Sequence, residues 1–148
     1  MLLLSLLAFI GCSAGEEEIY LLPKGYVGVV YIIFEQKTGK QPKYADGARV
    51  YEIPADGVLK TQFGFNDGWL DIPKFYYIDG QKRIPIFYQI ENKDIKVDTL
   101  QVCCIQTGNS YKGSNEAVQY ERFFIGTKQQ IDSVYEIEQS KDISSYEK

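Results

Sequence analysis

No histidine occurs anywhere in the 148 residues. That absence removes Ser-His-Asp and Cys-His nucleophilic sites, histidine general bases and the usual zinc constellations in one step. Basic charge is not in excess either: 16 Lys and Arg stand against 20 Asp and Glu, for a net charge of -4. Binding to nucleic acid needs a basic stripe, so no nucleic-acid partner is expected, and the mild acidity reads as solubility. A phosphate loop is missing, because Gly25-x-x-Gly28 lies in a strand context without a following helix or Lys-Ser/Thr. Cysteine is scarce, with three in the chain, Cys12 and the adjacent Cys103 and Cys104.

What the chain has instead is β-strand signal. Tyr26 to Phe34 is apolar at almost every position, as in a strand buried on both sides or at a sandwich centre. Gly25 and Gly28 would each cost a helix about 1 kcal/mol there relative to Ala. Ala48 to Ile53 alternates, and Val58 to Phe63 follows an Asp-Gly turn. Lys74 to Ile78 and Arg83 to Ile90 flank another such turn as a hairpin, with Pro85 suited to an edge. Thr99 to Gln106 and Val118 to Ile125 are further strands, separated by a Gly-, Ser- and Asn-rich loop from Thr107 to Asn115.

The turns are marked by Asp46-Gly47, Asp56-Gly57, Asp67-Gly68 and Asp79-Gly80. Asp can bond its own following backbone and Gly supplies positive φ, and the spacing is that of strand plus turn in an antiparallel sandwich. None of the four has the Asp-x-Asp-x-Asp-Gly oxygen set of a calcium loop, so no metal site is expected. Thr127 with Gln130 forms a candidate capping box, and Ile131, Val134, Tyr135 and Glu138 show helical spacing. A short C-terminal helix is expected there, followed by a polar, frayed tail over 140–148.

Two sets of residues carry a resemblance. Gly39-Lys40-Gln41-Pro42, Asp46-Gly47-Ala48-Arg49-Val50 and Asp56-Gly57-Val58-Leu59-Lys60-Thr61 resemble the start of a carboxypeptidase-regulatory or transthyretin-like (prealbumin-like) β-sandwich. Leu22-Pro23-Lys24-Gly25-Tyr26-Val27-Gly28, Ile53-Pro54-Ala55-Asp56-Gly57-Val58-Leu59 and Phe123-Phe124-Ile125-Gly126-Thr127 resemble a bacterial family of unknown function (DUF6843-like) found in small secreted or lipid-anchored proteins. The resemblance covers roughly residues 20 to 128. Its motifs are turns and strand ends, so it implies a fold and no catalytic residue. The fold class expected is mostly all-β, an antiparallel β-sandwich with a short C-terminal helix.

The N-terminus carries an address. Leu2 to Ile10 is an apolar run, too short for a span of about 20 residues but suited to a secretory signal. Gly11 before Cys12 resembles the bacterial lipobox, in which Cys12 would take lipid such as palmitate on sulfur and become the mature N-terminus. No Lys or Arg precedes the run and Phe9 stands where Leu or Val is commoner, as expected if the true start lies upstream of Met1. The domain reading is therefore a signal peptide over 1–11, an acidic tether over 12–18, a β-sandwich over 19–139 and the tail. Glu16 to Glu18 read either as a solvated linker or as an acidic export tag to the outer face of an outer membrane. The expected partners are the membrane, through the lipid, and a protein or glycan ligand.

Two candidate chemistries remain. Paired carboxylates, as glycosidases use, could come from Asp67, Asp71, Asp79, Glu91, Asp94 or Asp98, but abundant loop carboxylates are usually just solvated. The aromatics Phe63, Phe65, Trp69, Phe75, Tyr76 and Tyr77 gather around the Asn66-Asp67-Gly68 turn. Most such rings fill a core, yet Trp69 with Asn66 and Asp67 would suit a ligand-contact surface. Cys103 and Cys104, adjacent on a strand, are expected on opposite faces, one buried and one partly exposed, with a strained vicinal disulfide as the redox alternative. The reading reached is a lipid-anchored envelope β-sandwich that is not an enzyme and has no catalytic residues and no cofactor. The alternatives are a carboxylate-based envelope glycan hydrolase and a structural domain of an envelope assembly.

Overall fold

A computed structural model describes residues 15–68, 71–111 and 117–146. The strands are β1 (Glu18–Pro23), β2 (Gly28–Ile33), β3 (Tyr44–Ala45), β4 (Ala48–Glu52), β5 (Val58–Lys60), β6 (Lys74–Asp79), β7 (Lys82–Pro85), β8 (Phe87–Gln89), β9 (Gln101–Tyr111) and β10 (Ala117–Gly126), followed by helix α1 (Lys128–Gln139). They form two five-stranded sheets, ordered β3-β4-β1-β6-β7 and β5-β2-β10-β9-β8. The β-sandwich with one C-terminal helix is as the sequence implied.

The sheets are mixed rather than purely antiparallel. β1 lies parallel to both β4 and β6, β2 is parallel to β5, and β8 is parallel to β9. Two sequence features hid this. β1 begins inside the acidic stretch and inserts at the centre of the first sheet, with Ile19 between Val50 and Lys74 in register. The run Arg83 to Ile90 is divided at Ile86, so β7 closes the edge of one sheet and β8 that of the other. Pro85 cannot donate to a ladder and ends β7. Ile86 then donates its N–H to the Phe75 carbonyl at 2.9 Å and carries the chain across.

Between the sheets lies the main core, formed by side chains alternating inward along β1, β2, β4, β6 and β10: Tyr20, Leu22, Val30, Ile32, Tyr51, Phe75, Phe123 and Ile125 among them. The outer face of the second sheet is also covered. Phe124 packs with Ile131 of α1, and Tyr31, Ile33 and Val118 pack with Ile143. β2 is accordingly buried on both sides, as its unbroken apolar run implied.

The C-terminal segment corrects an expectation. A 3-10 turn at Ile143–Tyr146 follows α1, Ile143 is buried, and the Tyr146 ring lies 5.7 Å from that of Tyr31. It is a packed cover rather than a frayed tail, because two apolar side chains at i and i+3, Ile143 and Tyr146, pack on the Tyr31 ring of β2. α1 itself starts where the capping pattern placed it, with the Thr127 N–H donating to Gln130 Oε1 at 2.9 Å.

The cysteine pair also departs from expectation. β9 and β10 pair Gln106 with Arg122 but Cys103 with Phe124, so two residues, Cys104 and Ile105, oppose Phe123 alone. This is a β-bulge, with Cys104 at φ +59°. The extra residue resets the alternation, and both cysteines are buried on the outer face with Phe124 and Ile131.

Candidate functional site

Glu18 and Tyr20 are two positions apart on β1 and therefore share its inner face, while Glu121 alternates inward with Phe123 and Ile125 on β10. The sandwich thus brings two carboxyl groups together at one end of an otherwise apolar core. Both are more than nine-tenths buried. The Tyr20 ring that stands between them is held flat by Tyr51 at 5.0 Å and Phe75 at 4.7 Å, with Phe123 edge-on at 5.3 Å.

The Tyr20 hydroxyl lies 2.9 Å from Glu18 Oε2 and 2.7 Å from Glu121 Oε1. A phenol has one proton, so it can donate to one carboxyl only, and the other contact needs a proton of its own. Glu18 already accepts from the Tyr51 hydroxyl at 3.1 Å and from Asn66 Nδ2 at 3.0 Å. Glu121 is the group that keeps its proton: burial first, then the nearby Glu18, pushes its carboxyl from the usual 4.5 up to about 8, against a smaller downward pull from the Tyr20 hydrogen bond. Tyr20 is raised well above its ordinary value by the same burial and stays a phenol. At neutral pH the chain of donation runs from Glu121 to Tyr20 to Glu18.

This cluster floors a cavity of about 260 Å³. Pro73, Tyr88 and Ile105 form its walls, and Asp71, Ile72 and Ile90 its exposed mouth. The volume is that of a few side chains rather than a long chain segment. Its chemistry is an apolar sleeve ending in a protonated acid and a carboxylate, suited to an apolar group that carries hydrogen-bond donors.

The neighbouring acidic residues are not a free tether. Glu16 Oε2 lies 2.5 Å from Arg49 Nε, whose guanidinium also donates to the Gly64 carbonyl at 2.6 Å and sits over the Phe63 ring. Glu17 pairs with Lys74 at 2.9 Å, and Glu18 is the first residue of β1. The boundary expected at residue 18 therefore moves toward the N-terminus, since each acid finds a partner that the sequence alone does not reveal.

Asn66 is buried, and its amide accepts from the Glu16 N–H at 3.0 Å and donates to the Glu16 carbonyl at 2.8 Å as well as to Glu18. Asp67 is exposed in the following turn. Trp69 and Cys12 lie outside the described residues. Of the loop carboxylates considered for acid/base work, Asp71 alone lines the cavity; Asp79 pairs with Lys24 at 2.7 Å and Glu91 with Lys93 at 2.6 Å. Glu18 and Glu121 were missed, although a glutamate in the same alternating series as Phe123 and Ile125 is a signal that the sequence supplies.

A two-sheet sandwich with a carboxylate-floored cleft at one end is thus the class of protein that fold and site define. The chain belongs to the family described as "Family of unknown function (DUF6843)", which matches residues 14–135. Its fold is similar to the crystal structure of a candidate lipoprotein from Bacillus anthracis, with a TM-score of 0.56 and 16% identity over 78% of this chain and 75% of that one. No curated protein matches the sequence.

Proposed function

We propose that the protein is a non-enzymatic binding module of the cell envelope, anchored by lipid on Cys12, whose cleft takes an apolar group with hydrogen-bond donors from a protein or glycan ligand. The observation that carries the reading is the Glu121–Tyr20–Glu18 chain at the cleft floor. Burying two carboxyls costs stability, and apolar residues of similar volume would serve a core as well or better. Retaining them where a cavity opens is understood if they meet a ligand. Hydrolysis is disfavoured by the same geometry: Glu18 Oε1 receives Tyr51 and Asn66 while Oε2 faces Tyr20, which leaves a poor nucleophile.

The anchor rests on the Leu2 to Ile10 run with Gly11-Cys12, and a fold shared with a candidate lipoprotein agrees with it. Glu16, which Arg49 and Asn66 hold, stands four positions after Cys12. An extended chain of that length reaches at most about 14 Å, so the domain would sit close to the membrane. The finer address, the outer face of an outer membrane, needed Glu16 to Glu18 as an accessible export tag, and their engagement in the fold removes that support.

Two experiments test the proposal. Cys12→Ala should move the protein from the membrane fraction to the soluble fraction, and retention in the membrane would remove the anchor. In arrays of envelope glycans and peptides, Ile72→Trp, which narrows the mouth at an exposed position, should abolish a hit given by the wild type. A hit indifferent to that change would place the binding surface elsewhere.

A further inference from the structure

We propose that Cys103 and Cys104 form a redox-active vicinal pair, which closes to an intramolecular disulfide on reaction with a disulfide-bearing oxidant, either a small molecule or a thiol oxidoreductase in its disulfide form. Adjacent residues of a regular strand point to opposite faces and their sulfurs cannot meet. Here the bulge opposite Phe123 turns both side chains to one face, and the two sulfurs lie 2.7 Å apart. The left-handed φ of +59° at Cys104 is a strained backbone conformation for a non-glycine residue. Such strain persists where the surroundings hold it, and what it achieves at this position is the meeting of the two thiols.

Access is provided from one side. Cys103 is sealed, whereas Cys104 lines a cavity of about 300 Å³ between the 3-10 turn Asn92–Asp94 and α1, walled by Ile95, Ile131 and Tyr135. Lys93, Lys128 and Asp132 stand at its polar edge. The hydrogen bond between the sulfurs lowers the Cys104 thiol from its ordinary value and pushes Cys103 up, which makes Cys104 the attacking group.

The step balances with the oxidant named. Cys104, as thiolate, attacks one sulfur of the oxidant's disulfide, breaking that S–S bond, forming a mixed disulfide and expelling one thiolate. Cys103 then loses its proton and attacks the Cys104 sulfur, breaking the mixed disulfide and expelling the second thiolate. The two cysteines are oxidised by two electrons, the oxidant's disulfide is reduced to two thiols, and the two cysteine protons end on them. In a disulfide-permissive compartment the closed form would be the resting one.

Mass spectrometry of the full chain tests this directly. Trypsin cutting after Lys96 and Lys112 leaves both cysteines in one peptide, separate from Cys12. After equilibration of folded protein with glutathione disulfide, then alkylation under denaturing conditions, that peptide should be unalkylated and lighter by two hydrogens than its reduced form. Two alkylated thiols, or a lasting glutathione adduct on the wild-type peptide, would overturn the proposal. Cys103→Ser should trap the glutathione adduct on Cys104, and its absence in a folded variant would equally count against the mechanism. Should that variant fail to fold, the wild-type peptide decides alone.

Discussion

The hydroxyl of Tyr20 and the carboxyl of Glu121 lie 2.7 Å apart across the two sheets, although 101 positions separate them in the chain. One belongs to the central strand of the first sheet and the other to the central strand of the second. Their contact is the polar end of a core whose remainder is aromatic and aliphatic.

Glu121→Gln should flatten the response of the fold to pH. In the unfolded chain this carboxyl ionises near 4.5, and in the folded protein near 8, because burial and Glu18 disfavour its charge. Below about pH 4.5 both states hold the proton and the contribution to stability is complete. As pH rises toward 8 the unfolded chain has released the proton while the folded protein keeps it, so stability falls through that window and levels off above it. Urea unfolding at about pH 5, 7 and 9 should show the variant gaining on the wild type by a few kcal/mol at the alkaline end. An equally steep decline in both proteins would assign the pH dependence to other groups.

Tyr20→Phe keeps the ring stacked between Tyr51 and Phe75 but removes the shared hydroxyl. The loss should cost about 1–3 kcal/mol, since both carboxyls lose a hydrogen-bond partner at a largely buried position. Once Glu121 ionises, the phenol can turn and donate to it, which is why this hydrogen bond pulls the carboxyl downward; without the hydroxyl its titration should move up further. Carbon-13 chemical shifts of labelled glutamate against pH measure this. A downward movement would mean that the phenol supports the protonated acid more than the carboxylate.

What could be read from the sequence was decided by locality. β4, the β6–β7 hairpin, β10 and α1 depend on alternation, on Asp-Gly turns and on the Thr127–Gln130 cap, all contained in a few neighbouring residues. β1 was hidden because Glu16 to Glu18 look solvated until Arg49, Lys74 and Asn66 are placed beside them, 33, 57 and 48–50 positions away. The parallel pairings and the crossing at Ile86 depend on which strands become neighbours, which no window of sequence contains. The site suffered most. Its carboxyls lie on inward strand positions, where acids are rare, rather than on loops, where they are common.

The glycine of the second Asp-Gly turn offers a contrast with that of the fourth. A Cβ at Gly57 would stand 2.0 Å from the Tyr26 hydroxyl and 2.6 Å from the Val29 carbonyl oxygen, at φ +77°. Tyr26 donates to that same carbonyl at 2.5 Å, so the intruding methyl must break this bond. At Gly80, with φ +61°, nothing lies within 4 Å. Gly80→Ala should therefore cost only the left-handed strain, about 1–2 kcal/mol, and Gly57→Ala clearly more, about 3 kcal/mol or above. Equal losses in thermal unfolding would show that Tyr26 moves aside freely.

Arg122→Met tests what holds α1 over the cysteine pair. Arg122 is buried on the outer face of β10, and its guanidinium donates to the Glu138 carbonyl near the end of α1 and to Gln106 Oε1 on β9. The Tyr31 hydroxyl donates to the Glu138 carboxylate at 2.5 Å, so the last turn of the helix is fastened to β2, β9 and β10 together. Methionine retains the apolar stem that packs on the sheet and removes the donors. The global cost should stay near 1–2 kcal/mol, because the Arg122 Nε has no partner among the described residues and its burial is already a penalty. The local effect should be larger: amide exchange over 135–140 should rise by about tenfold or more, while β2 and β10 remain protected. Ile131 and Tyr135 of the same helix wall the cavity that Cys104 lines. Loosening α1 should then speed alkylation of Cys104 by iodoacetamide in the folded protein. Faster amide exchange with unchanged alkylation would mean that the N-terminal half of α1, capped at Thr127, guards the thiol by itself.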